Sequence, residues 1–436
     1  MAVMTTPTRA ADPDIERTRD RTRDRTGDRI RDRIRGQFPA LAGDTIYFDN
    51  AGGSQVPRCV ADAVHRYLLE SYVQLGAGYA MSQRCTKVVD DAHAFVNLFM
   101  NGTATGKVVL GASSTHLVMM LVECYRRALP RGSEIIVSEI GHEANVGPWM
   151  KLADEGFIVK VWEAAPRIAR SLECPLEALE GLLTERTRIV ALPHVSNLLG
   201  RIEDIQGAIR LAHSAGARVV VDGVAYASHR AMDVAAWDAD WYLYGPYKVY
   251  GPHMGAMYGK AEAFDEITGP NHFFIPRAMV PYKFEPGGVC HEACAGLLAL
   301  GEYLKLLAGR EDEGECERAT IERAFEVMTA LELPLQERLI EYLNSKPGAT
   351  IIGPATAGPS RVPTISFVHE SVPSADIVKA ICAANIGARH GHMYTARLCA
   401  KLGYDLNDGF ARVSMVHYNT LEEVERLIEV LNGVLP

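Results

Sequence analysis

The chain of 436 residues has no apolar run as long as a membrane span, no Cys-x-x-Cys pair among its nine cysteines, and no excess of positive charge. Each absence removes a class of function. Without a span of about 20 apolar residues, a membrane-crossing helix is not expected. Scattered thiols suggest neither a disulfide framework nor a zinc site, and reduced cysteines fit a cytoplasmic setting. The start of the chain lacks the apolar core of a secretory signal, which points the same way. A formal charge of -9 argues against a nucleic-acid surface as the main partner.

What is present is an ordinary globular composition, 48% hydrophobic, in a chain long enough for two domains. Residues 1–36 are different. They carry an Arg/Asp quasi-repeat from Asp20 to Ile34 with almost nothing to bury, and are expected to be disordered or a solvated helix. The aspartates cancel most of the positive field, so the arm is not read as a nucleic-acid binder.

From Phe38 onward, apolar runs alternate with amphipathic stretches, the pattern of βαβ units around a largely parallel sheet. Strands are expected at Lys107–Leu110, Glu134–Val137, Phe157–Trp162, Arg188–Leu192, Arg218–Val221 and Trp241–Tyr244. Helices are expected at Leu117–Arg127, Ile205–Ala215, Thr320–Asn344 and Leu421–Leu435. The expected organisation is an N-terminal segment 37–58 packing with the small domain, a large domain over 59–309, and a smaller α+β domain over 310–436.

The residues that could do chemistry follow the strand ends, where open α/β sheets bind ligands. Lys248 sits in Tyr244-Gly-Pro-Tyr-Lys-Val-Tyr-Gly-Pro252, a tight loop after an apolar strand. A lysine there can react with a carbonyl if burial or a neighbouring cation lowers its pKa. Asp222 ends the preceding strand and can pair with a pyridinium nitrogen, or cap the next helix. Ser114 and Thr115, in Gly111-Ala-Ser-Ser-Thr-His116, open a helix that could hold a phosphate on its free N–H groups. His142 could stack on a flat ring, and Asn197 could donate to a phenolate oxygen.

In this order the motifs resemble the class V aminotransferase family of pyridoxal-phosphate enzymes, in its cysteine desulfurase-like branch. The resemblance begins at Ile46-Tyr-Phe-Asp-Asn-Ala-Gly-Gly53 and runs to the C-terminus. It implies fold type I, with a mostly parallel seven-stranded sheet, pyridoxal 5'-phosphate as cofactor, an amino-acid substrate, and a homodimer with shared active sites. Lys248 would form the internal aldimine, Ser114 and Thr115 hold the phosphate, His142 stack on the ring, and Asn197 and Asp222 touch its substituents and nitrogen. Tyr247 would flank the lysine, and Gly288, in Gly287-Gly-Val-Cys-His-Glu292, would reach the neighbouring subunit's phosphate. Arg412, Arg389 and Asn50 would face the substrate.

The chain departs from that pattern at the mobile loop, where desulfurases carry their sulfur-accepting thiolate. Arg389-His-Gly-His-Met-Tyr394 puts Tyr394 there, and a phenol cannot accept sulfur as a persulfide. Cys399 reads as a core residue, and Cys290 as a distant candidate. Ala225 replaces a Gln or His, with loss of a hydrogen bond of about 0.5–1.5 kcal/mol. The reading is therefore carbon–sulfur lyase chemistry through a Cα carbanion, with Tyr394 as a candidate acid. Epimerase or aminotransferase activity is the alternative, and a silent scaffold a third.

Overall fold

The computed structural model describes residues 30–165 and 172–436. Seven strands build the main sheet: β1 (Gly106–Gly111), β2 (Glu134–Ser138), β3 (Ile158–Trp162), β4 (Thr187–Pro193), β5 (Arg218–Asp222), β6 (Trp241–Tyr244) and β7 (Gly255–Lys260). Their order is β1-β7-β6-β5-β4-β2-β3. Neighbours run parallel except at β7, which is antiparallel to both β1 and β6.

Strands β2, β4 and β5 carry buried Val/Ile/Leu runs because helices cover both faces of the sheet. Side chains alternate between two cores: Val190, Leu192, Val219 and Val221 point to one, and Ile189, Ala191 and Val220 to the other. Each of these Val, Ile and Leu side chains contributes about 1.5–3 kcal/mol by burial. The six expected strands are all present, within a residue or two of their expected ends. Strand β7 was concealed by Gly255 and Gly259, which weaken a strand but are required by close packing. A Cβ at Gly255 would collide with the backbone of Ser113 and Ser114, and one at Gly259 with the Trp241 and Phe264 rings.

Toward the C-terminus, β8 (Ala349–Ile352), β9 (Thr364–His369), β10 (Arg389–Gly391) and β11 (Phe410–Ser414) form an antiparallel sheet in the order β10-β11-β9-β8. Ile46–Tyr47 pairs in parallel with Ile386–Gly387, and Phe48 is buried in the core behind this sheet. The helix Arg318–Ser345 spans both regions. Its Ile321, Phe325 and Met328 join the core of the large sheet, and its Leu335, Leu339 and Leu343 join that of the small one, with Pro334 between the two sets.

The expected 1–36 arm lies outside the described residues as far as residue 29. Residues 30–35 are helical and docked, which moves the start of the packed chain forward of the expected boundary. Ile34 is buried, and Arg35 donates to the Tyr418 carbonyl at 2.8 Å and pairs with Glu423 at 2.9 Å. Among the described residues no helix is long and apolar enough to cross a membrane.

Gly223, immediately after β5, lies against the Tyr242 ring, whereas Gly181, in the helix Leu176–Leu182, has open space around it. Gly223→Ala should lose about 1–3 kcal/mol of stability through overpacking. Gly181→Ala should gain about 0.5–1 kcal/mol from helix propensity. Denaturant midpoints of the two variants check both signs.

Candidate functional site

The C-terminal ends of the parallel strands open into a cavity lined by Ser114, Thr115, His142, Asn197, Asp222, Tyr247 and Lys248 together with Pro193, Val195, Val224, Ala225 and Leu243. Seven of the residues expected from the sequence thus meet in one place. At one end, Ser113 caps the helix Ser114–Ala128 by accepting the His116 N–H at 3.1 Å. The Ser114 hydroxyl, one residue on, is buried and has no hydrogen-bond partner. A buried unpaired donor at a helix N-terminus is a site prepared for an anion such as a phosphate.

Asp222, at the end of β5, is buried and accepts one backbone bond, from Val224 N–H at 2.9 Å. Burial pushes its pKa up, while that bond and the Lys248 charge pull it down. A carboxylate so placed calls for a cationic partner. Lys248 closes the short 3₁₀ turn Pro246–Lys248, where Gly-Pro ends β6 and turns the amine inward. Burial first, and then the charge of Arg412, bring its pKa down to about 8, against the opposing pull of Asp222 and Asp49. His142 accepts the Ala144 N–H on Nδ1 at 3.0 Å, so its neutral ring carries hydrogen on Nε2. Burial, then the charges of Lys248 and Arg412, lower its pKa to about 4. It is a flat, uncharged surface at neutral pH.

Arg389 and Arg412 are directly opposite on β10 and β11. Like charges in that register repel. Asp49 lies between them, bound by Arg389 at 2.7 Å and by Arg412 at 3.3 Å. Arg412 is buried, donates through Nη1 to the Asn197 carbonyl at 3.3 Å, and has no partner at Nε. Arg389 is 57% exposed, so it faces solvent more than an active-site arginine was expected to.

Tyr394 stacks on His142, with ring centroids 5.1 Å apart. It is 66% exposed and, like Met393 before it, adopts positive φ. Such backbone persists only where the surroundings over-determine it. Here the Met393 carbonyl accepts from Asn197 Nδ2 at 2.7 Å, the Tyr394 carbonyl from Glu143 N–H at 2.8 Å, and Thr395 Oγ1 donates to Asn197 Oδ1 at 3.2 Å. Arg397–Glu143 and Lys401–Glu139 ion pairs hold the following turn of helix.

Three of the expected residues have partners or places that the sequence does not display. The Asn197 amide, expected at a ring oxygen, is engaged by the 393–395 loop. Asn50, expected at the substrate, directs its amide to the Tyr47 and Ser414 carbonyls and accepts from the Tyr418 hydroxyl. Gly288 is not among the residues lining this chain's cavity; it lies in an exposed loop with positive φ.

A family model described as "Aminotransferase class-V" matches residues 46–427. The chain belongs to that family. An aminotransferase-like protein, FGM3, of Gibberella zeae is 38% identical over 92% of this chain and 97% of its own length. The cysteine desulfurase-like protein ustD of Aspergillus flavus is 28% identical over 91% of this chain and 89% of its own. The crystal structure of the cysteine desulfurase CsdA from Escherichia coli superposes with a TM-score of 0.76 at 28% identity, covering 93% of this chain and 98% of that one. This class V chain is a pyridoxal 5'-phosphate-dependent enzyme of the fold type I architecture. The unpaired Ser114 hydroxyl, the buried Asp222 and the depressed Lys248 amine fit that cofactor's phosphate, ring nitrogen and aldehyde.

Sequence reasoning passed over Asp49, although it stands in the quoted Ile46–Gly53 motif. Its contacts lie 340 and 363 residues away, and no local pattern encodes them.

Competitive acetylation of the cofactor-free protein, followed by peptide mass spectrometry, should give Lys248 a reactivity midpoint near pH 8. An exposed lysine would titrate near about 10.4. Arg412→Gln should move the Lys248 midpoint upward, since it removes a neighbouring positive charge.

Proposed function

We propose that this enzyme acts on an amino acid bearing a leaving group at Cβ, and that it breaks a carbon–sulfur bond by β-elimination without a persulfide on the protein. Ser114, Thr115 and the free N–H groups of their helix would hold the cofactor phosphate, Asp222 the ring nitrogen, and Lys248 the aldehyde carbon. When bound, the cofactor supplies an electron sink for a bond broken at the substrate Cα.

The chain's own residues do the rest. Arg412 binds the substrate carboxylate, which fixes the orientation of the bonds at Cα. The Lys248 amine, neutral above about pH 8, takes the Cα proton. The Cβ–sulfur bond then breaks with its electron pair leaving on sulfur, and the departing thiolate takes up a proton. His142 supplies an uncharged stacking surface, and Tyr394, stacked on it, closes the mouth of the cavity. The apolar lining from Val195, Val224 and Leu243 keeps water from the reacting atoms.

One observation carries the absence of a persulfide step: none of the nine cysteines lines the cavity, and the loop position is held by Tyr394. Cys399 is fully buried, with its sulfur toward the Tyr404 and Asp405 carbonyls. A second reading, transamination, is favoured by the name of the 38% identical relative. A homodimer is part of the proposal. Gly288 lies outside its own cavity, and Phe273, Phe274 and Tyr282 nearby are exposed aromatic surface that a second copy would cover.

Incubation of the loaded enzyme with cysteine conjugates should release thiol, ammonia and pyruvate, with no persulfide on the protein. A keto acid that retains the substrate side chain would favour transamination. Sulfide from free cysteine together with a protein persulfide would contradict the proposal. Tyr394→Phe should retain binding and lower kcat by about 10²-fold if the phenol acts as the acid, and leave kcat nearly unchanged if it only closes the site.

A further inference from the structure

The two arginines of the site already hold a carboxylate of the chain itself. Arg389 grips Asp49 Oδ2 with two donors, Nη2 at 2.7 Å and Nε at 3.1 Å. Arg412 reaches only the other oxygen, Oδ1, from Nη2 at 3.3 Å. Charge-assisted bonds are normally about 2.7–2.9 Å, so Asp49 belongs to Arg389 and only leans on Arg412.

The Arg412 Nε, on the same edge of the guanidinium as Nη2, is buried without a partner. An Nε/Nη2 edge is the fork that takes a carboxylate in bidentate fashion. Asp49 therefore covers half of that fork and leaves the other half unsatisfied. A buried donor left unpaired is costly, so the arrangement is poised for a second carboxylate.

The charges agree with this geometry. Arg389 and Arg412 bring two positive charges in direct opposition across β10 and β11, and Asp49 removes one. The remaining single charge matches one carboxylate. The chain also leaves Asp49 space: a Cβ at Gly52 would stand 3.1 Å from Oδ2, closer than ordinary packing.

We infer that Asp49 is an internal competitor for Arg412, displaced onto Arg389 when the substrate carboxylate takes the Nε/Nη2 fork, so that Arg389 is a positioning residue for Asp49 and not a second substrate ligand. The inference rests on the proposed role of Arg412. The displacement makes and breaks no covalent bond. Affinity for a carboxylate is set by how firmly Arg389 withdraws Asp49.

The test is calorimetric titration of the holoenzyme with propionate at fixed ionic strength. Asp49→Asn should bind propionate about tenfold more tightly, because the competitor is gone. Arg389→Lys keeps the positive charge but loses the two-donor grip, so Asp49 returns to Arg412 and affinity should fall about fivefold. Unchanged or weaker binding in Asp49→Asn overturns the inference. Should Asp49→Asn fail to fold, Arg389→Lys decides alone, and unchanged or tighter binding there overturns it. Arg412→Gln separates the two levels: if it leaves propionate affinity intact, the proposed role of Arg412 fails as well; if it abolishes binding while the other variants do nothing, only the Asp49 inference fails.

Discussion

Withdrawal of the Lys248 amine from water is the constraint on which the rest of the site depends. A lysine on a surface loop stays protonated at neutral pH and cannot act on a carbonyl or a Cα proton. Here burial does most of the work and the nearby Arg412 adds to it, while Asp222 and Asp49 limit the shift. Both opposing carboxylates are positioned by elements distant in sequence: Asp222 by the end of β5, Asp49 by the segment that crosses to the small sheet. The amine is tuned by the meeting of two regions, neither of which suffices by itself.

That meeting is secured from the small-domain side. β10 and β11 present their arginines toward Asp49, and the loop after β10 is fastened to Asn197, Glu143 and Glu139 of the large sheet's edge. The loop is anchored by hydrogen bonds, ion pairs and a ring stack on His142, and its backbone holds left-handed φ at Met393 and Tyr394. On the proposed reading, this anchored aromatic is a wall that excludes water from the reacting atoms. The same anchoring accounts for the new use of the Asn197 amide.

Much of this was legible in the residues. The strand ends, Lys248, Asp222, the hydroxyl-rich helix start and His142 follow from local patterns: an apolar run, then a turn, then a polar group. The structure brings them into one cavity. Four things were not legible. Strand β7 was masked by glycines whose reason is contact with Ser113 and Trp241, invisible without the fold. Asn50 and Asn197 look like ligands in sequence because their types suit the task, yet their amides bind backbone carbonyls. Asp49 acquires meaning only through the register of β10 against β11, and the docked helix 30–35 only through Ile34 reaching a core built by distant aromatic residues.

Lys248 is proposed as the amine that bears the cofactor. Borohydride reduction of the pyridoxal 5'-phosphate-loaded protein, followed by proteolysis and mass spectrometry, tests it most directly. The account predicts that the reduced cofactor's mass is added stoichiometrically to the peptide containing Lys248. Addition at another lysine, or no stable addition to a protein that has taken up the cofactor, would contradict it.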